Sequence, residues 1–256
     1  MALRVLEADE SLRADYLETL QCDRHGVEEK VLTLFLDLVP LPRPLRTAFK
    51  SKAMGITLWI VPSAKDTERL KKIMAVRPQD SLPVQTSSVS YPIFDPHITL
   101  ASLSSHSNIL LSKLKESIPK TQSALKVNFK SVDAGDHFFR SVYIAVTPTS
   151  ELTALHQHVH EALGVEPRTP MFPHISLCYI SDHDAEHGER QRFRDELRST
   201  GRIREDEGGA VSLNCGTDKE DWVSGFISPE IWIADCEGPL ESWRVLERIP
   251  LNSIID

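Results

Sequence analysis

The chain's 256 residues, 41% of them hydrophobic and 26% charged, are enough to bury a core in one large domain or two small ones. A formal net charge of −8 argues against a protein that coats long nucleic acid through a basic face. It leaves open a small anionic ligand held by a few local donors.

In chain order, no basic-plus-apolar leader pattern opens the sequence. Within the first fifty residues, "DESLRADYLETLQ" and "HGVEEKVLTLFLDLV" show helical apolar spacing, and "PLPRPLRTAFKSK" reads as a basic, proline-rich connector. The apolar run there is broken by Asp37 and is too short to cross a bilayer. Residues 1–50 are expected to form a helical N-terminal extension, and residues 51–256 the domain proper.

Next, "GITLWIVP" is a strand closed by Pro62, and "SAKDTERLKKIMAVR" is a helix with Ser63 as its N-cap. "FDPHITLASL" is a strand, and "SNILLSKLKESIPK" is a helix ending at Pro119. "ALKVNFKSVDAG" and "HFFRSVYIAVTP" form a hairpin with its bend near Gly135 and Asp136. "TSELTALHQHVHEALG" is a helix stopped by Gly164; "FPHISLCYI" is a strand, and "DAEHGERQRFRDELRST" is one long charged helix. "AVSLNCG", "EIWIADCEG" and "SWRVLERIPL" close the chain as strands. Each half thus offers a helix, a histidine-bearing strand, a second helix and a strand pair. A duplicated unit of this kind places the two histidine strands side by side across an approximate two-fold axis, with both imidazoles facing one cleft. Cys22, Cys178, Cys215 and Cys236 are scattered, with no CxxC pair, so a reducing compartment and a soluble intracellular protein, cytoplasmic or nuclear, are expected.

The two histidine strands carry the same phrase: aromatic, Pro, His, Ile, hydroxyl residue, Leu. Residues two apart on a strand share a face, so His97 lies beside Thr99 and His174 beside Ser176, while Ile98, Leu100, Ile175 and Leu177 point into the core. Pro96 and Pro173 fix the backbone before each imidazole. Two imidazoles suit displacement at phosphorus: one takes a proton from water, and the other gives a proton to the leaving oxygen. Two hydroxyls can donate to the non-bridging oxygens, where charge concentrates. Neither phrase suffices alone, and the scheme uses no metal or cofactor.

"HITL" and "HISL" resemble the paired motifs of the 2H phosphoesterase superfamily. More narrowly, residues 55–251 resemble the fungal and plant 2′,3′-cyclic nucleotide 3′-phosphodiesterases. "GITLWIVP", "FDPHITLASL", "GDHFFRSVYIAV", "PHISLCY" and "DCEGPLESWRVLERIPL" stand in that family's order. The resemblance implies an α/β (α+β) fold of two pseudo-symmetric lobes, with antiparallel sheets around a central cleft. It also implies metal-free opening of 2′,3′-cyclic phosphates, on nucleotides or RNA 3′ ends, to 2′-phosphates, and of ADP-ribose 1″,2″-cyclic phosphate. The carried-over site is His97 and His174 as the acid–base pair and Thr99 and Ser176 as phosphate clamps, with Tyr179 near the ligand. His174 is preferred as base and His97 as acid, although pseudo-symmetry allows the reverse. RNA processing, tRNA splicing and a monomeric, membrane-free state belong to the same expectation.

Other candidates carry weaker signals. Phe139 and Arg140 are candidate substrate contacts if their strand lines the cleft, as is Trp222 from a loop. His156 and His160, and His183 and His187, have a spacing that zinc can use on a helix, but no acidic or thiol partner completes either set. Competing functions are a 3′-exoribonuclease of the U6 snRNA-processing type, a non-catalytic nucleotide-binding module and a metallohydrolase. The acidic charge counts against the first, and the intact histidine pair counts against the second.

Overall fold

The computed structural model describes residues 54–78, 86–104, 107, 109–167, 172–217 and 219–253. The chain divides into two units, Met1–Lys52 and Ala53–Asp256. The helices expected in residues 1–50 lie outside the described residues, and every described element belongs to the second unit.

Strand β1 (Met54–Val61) leads into helix α1 (Ala64–Met74). The Ser63 hydroxyl accepts the Asp66 backbone N–H at 3.2 Å, satisfying one of the donors that a helix start leaves unpaired. Strand β2 (Ile98–Ser104) and the short helix α2 (Leu111–Glu116) follow. Strands β3 (Leu125–His137) and β4 (Arg140–Val146) form the expected hairpin. Its bend falls at Phe138 and Phe139 instead of Gly135 and Asp136, because Gly135 is needed inside the strand. A Cβ there would lie 2.1 Å from the Arg140 carbonyl oxygen, so only glycine permits the close, irregular pairing between Ala134 and His137.

Helix α3 (Ser150–Leu163) begins at a Thr149 cap and ends at Gly164 in the left-handed conformation, as its sequence predicts. Strand β5 (His174–Cys178) follows. The long charged helix is in fact two, α4 (Asp182–Glu186) and α5 (Glu189–Ser199). Gly188, with φ of 83°, turns the backbone between them. Strands β6 (Ile203–Glu205), β7 (Val211–Asn214) and β8 (Trp222–Val223) make a small separate sheet. Strands β9 (Gly225–Ser228), β10 (Glu230–Asp235) and β11 (Arg244–Pro250) return to the main one.

The main sheet is antiparallel, in the order β11-β10-β1-β2-β5-β4-β3-β9. It is two four-stranded halves joined at its centre by β2 and β5. In each half a strand, a helix and the histidine strand follow in order, as β1-α1-β2 and β4-α3-β5. The core packs against one face, where Ile98, Leu100 and Ile175 are fully buried and Leu177 nearly so. Full burial of one isoleucine is worth roughly 1.5–3 kcal/mol, so the residues behind each histidine anchor its strand. Cys178, Cys215 and Cys236 are free and buried. Among the described residues, no helix is long and apolar enough to cross a membrane.

Candidate active site

β2 and β5 are joined through the pair Ile98 and Ile175. Extending this antiparallel register by one residue each way sets His97 across from Ser176, and Thr99 across from His174. All four lie on the face opposite the buried isoleucines, in a two-by-two patch with neighbours about 5 Å apart across the strands. The repeated phrase is therefore brought together as its alternation predicts.

Each flanking strand adds an aromatic side chain in the same relation. Trp59 on β1 pairs with Thr99, and Tyr143 on β4 pairs with Ser176. Trp59 stacks face to face on His97, with ring centroids 4.0 Å apart and planes inclined by 13°. Tyr143 meets His174 at 5.5 Å and 73°. The two-fold relation thus holds in register and breaks in ring geometry.

His97 is only 6% exposed. Its Nδ1 lies 2.7 Å from the Asp95 carbonyl oxygen, which can only accept, so Nδ1 carries the proton and the neutral ring keeps its lone pair on Nε2. Burial pushes the imidazole down to about 4, opposed by the Asp95 bond and reinforced by His174. Asp95 is itself held by Lys71 of α1, Nζ to Oδ1 at 2.9 Å. His174 and Thr99 are half-buried. The Ser176 hydroxyl donates to the Phe139 carbonyl at 2.8 Å, a bond that rotation about Cβ–Oγ can release.

Burial of His97 also ties stability to pH. Between pH 6.5 and 4 the unfolded chain binds a proton at His97 that the fold refuses, so stability present at neutral pH is lost as pH falls through that window. The loss attributable to His97 is expected to reach about 3 kcal/mol. Urea unfolding of wild type and His97→Gln at pH 7 and pH 4 checks it: the gap between them should shift by that amount in favour of the variant. An unchanged gap would assign the acid sensitivity elsewhere.

A closed circuit of rings walls the patch. Phe94 lies 6.4 Å from His97, Trp59 lies 6.0 Å from Trp243, and Trp243 lies 6.0 Å from Phe139. Phe139 is 5.3 Å from Tyr179, which stacks on Phe94 at 4.1 Å and 7°. The segment carrying Phe94 is pinned from behind. The Ser87 N–H and the Ser90 hydroxyl both bond to buried Asp184, and Tyr91 donates its hydroxyl to buried Glu189 at 2.6 Å. Tyr91 stands at φ 60°, a left-handed conformation held by this bond and by its N–H on the Tyr179 carbonyl.

The weaker sequence candidates separate here. Phe139 joins the wall through its ring and through Ser176. Tyr179, 2% exposed, is buried in the wall; burial pushes its phenol up, against a hydrogen bond with Ser176. The Arg140 guanidinium lies 5.8 Å from the Tyr143 ring while its Nη2 donates to Asp136 at 2.7 Å. Trp222 is not in the circuit. It lies in β8 of the small sheet under Arg204, with Nε1 donating to Glu220. The His156 and His160 rings are 4.2 Å apart, and those of His183 and His187 are 4.8 Å apart. Among the described residues, no group of three or more His, Cys, Asp or Glu is placed to hold a metal ion. Sequence reasoning missed Trp59, Phe94, Tyr143 and Trp243. The one signal for Trp59 was a lone aromatic in its strand.

Residues 54–251 match the family model described as cyclic phosphodiesterase-like protein. The chain belongs to that family. A Yarrowia lipolytica protein named 2′,3′-cyclic-nucleotide 3′-phosphodiesterase is 24% identical over 230 residues, covering 75% of this chain and 98% of its own. A cyclic phosphodiesterase of Arabidopsis thaliana is 27% identical over 170 residues, covering 64% of this chain and 86% of its own. Among solved structures, E. coli LigT complexed with 3′-AMP is similar with a TM-score of 0.47 at 15% identity, covering 78% of this chain and 99% of that one. The matched span begins with β1 and ends just after β11, so this family member carries both His strands and the other six strands of the main sheet inside the region it shares.

Proposed function

We propose that the chain hydrolyses 2′,3′-cyclic phosphates to 2′-phosphates, on nucleotides or at RNA 3′ ends, with ADP-ribose 1″,2″-cyclic phosphate as a further substrate. The observation that carries this reading is the patch on β2 and β5, with two imidazoles and two hydroxyls in register on one face. The family match and the activities for which the Yarrowia and Arabidopsis relatives are named support it.

In this reading His97 is the general base. Burial keeps it neutral, and its Nδ1–H is committed to the Asp95 carbonyl, so Nε2 is the atom left to take the proton of the attacking water. His174, half-exposed, donates the proton that the departing 3′ oxygen requires. This ordering is the reverse of the one preferred on resemblance, and the tautomer and burial of His97 are what favour it. Thr99 and Ser176 donate to the non-bridging oxygens, Ser176 by turning from the Phe139 carbonyl. Bond formation by water oxygen, cleavage of the P–O3′ bond and two proton transfers balance without an external reactant. The aromatic wall supplies faces on which a base or ribose can rest.

The test uses the purified chain in excess chelator with three substrates: a 2′,3′-cyclic mononucleotide, a short RNA ending in a cyclic phosphate, and the same RNA with a free 3′ hydroxyl. Turnover of the first two is expected, and their rate ratio identifies the natural class. Shortening of the third while the cyclic phosphates survive would replace this reading with the exonuclease.

A further inference from the structure

The two halves of the site match in register down to the aromatic neighbour of each hydroxyl residue, yet only one imidazole lies flat on its ring. Trp59 is 4% exposed, and its plane departs by 13° from that of His97 at 4.0 Å. Tyr143, its counterpart, stands at 73° to His174. The Trp59 Nε1–H is buried and makes no hydrogen bond, an unmet donor that phenylalanine would not carry. Hydrogen bonding therefore does not account for an indole at this position. What distinguishes it is the face, which carries the most negative potential among aromatic side chains.

We infer that Trp59 is a positioning residue for His97, its indole face stabilising the imidazolium that forms when His97 takes up a proton. The inference rests on the reading of His97 as a proton-transfer group. The full charges around His97 leave room for this contribution. On its own segment the Asp95 carbonyl bond and carboxylate favour the cation, but less than burial opposes it, the carboxylate being shared with Lys71 of α1, and across the strands His174 opposes a positive charge. Phe94 stands edge-on at 75°. Burial alone favours the neutral ring, so a base seated here needs an attraction that switches on with its charge. A π face does this, attracting the cation more strongly than the neutral imidazole on which it also stacks. The same contact fixes the ring plane, which aims Nε2. The edge-on approach of Tyr143 to His174, against the face-on stack at His97, separates the two imidazoles in role although their strands are equivalent.

Fluorination tests this without changing the shape of the core. Tryptophans bearing one to four fluorines are placed at position 59 alone, because Trp222, Trp232 and Trp243 would confuse uniform labelling. Each fluorine withdraws density from the face. The pKa of His97, read from its imidazole resonances by NMR, should fall step by step, by about half a unit to one unit across the series. The acid limb of kcat/KM should move with it. A flat pKa series in folded variants would overturn the inference, even if kcat changed. The NMR readout needs no turnover, so the two readings fail separately. A flat series with cyclic phosphate still opened removes Trp59 and leaves the function. A falling series with no hydrolysis keeps Trp59 and removes the function.

Discussion

His97→Ala and His174→Ala will each lower kcat by about 10²–10⁴-fold, the usual contribution of one positioned acid or base. The double variant will lose little more than the worse single one, because acid and base serve one displacement and removing either leaves the other without its role. KM should move far less than kcat, since the proton transfers occur in the transition state. His97 packs on Trp59 and bonds to Asp95, so its alanine variant also needs a thermal unfolding curve to show that it is folded. His97→Gln, which keeps more of the volume, should be as inactive. Near wild-type turnover in either folded single variant would remove the acid–base mechanism.

The hydroxyls come next in size. Thr99→Ala and Ser176→Ala should each cost about 2–4 kcal/mol of transition-state stabilisation, if each resembles loss of one oxyanion donor. The two will differ in kind. Thr99 is half-buried beside Trp59, and its loss should act on kcat alone. Ser176 also caps the Phe139 carbonyl, so its loss frees the β3–β4 turn that carries an aromatic of the wall. Ser176→Ala should therefore raise KM as well, and Ser176→Thr should restore part of both. Steady-state kinetics on a cyclic mononucleotide decides this; equal effects on kcat and KM from both positions would mean that Ser176 has no second role.

The site's centre is legible in the sequence because alternation on a strand is local. His97 with Thr99, and His174 with Ser176, share a face whatever the strands pair with, and repetition of the phrase implies a two-fold partner. Helix ends marked by side-chain chemistry are also legible, as at Ser63 and Gly164, where one residue satisfies or redirects the backbone. What the sequence hides is information carried between strands. Trp59 and Tyr143 matter through cross-strand register, and Trp243 through the return of β10 and β11 to the first half of the sheet, which no local pattern encodes. Gly135 reads as a bend because glycine serves tight turns and close strand approaches alike, and only the position of Arg140 separates the two. Gly188 reads as a tolerated glycine within a charged helix, but its left-handed backbone ends one helix and starts another. Trp222 looks like a loop aromatic free to cover a base, but pairing of β8 with β7 places it under Arg204 instead.

The most direct measurement is phosphorus NMR of a 2′,3′-cyclic nucleotide incubated with the purified chain in excess chelator. A metal-free attack of water at phosphorus with protonation of the 3′ oxygen predicts conversion to the nucleoside 2′-phosphate alone. Accumulation of the 3′-phosphate, or a cyclic phosphate that survives until a metal ion is restored, would contradict it.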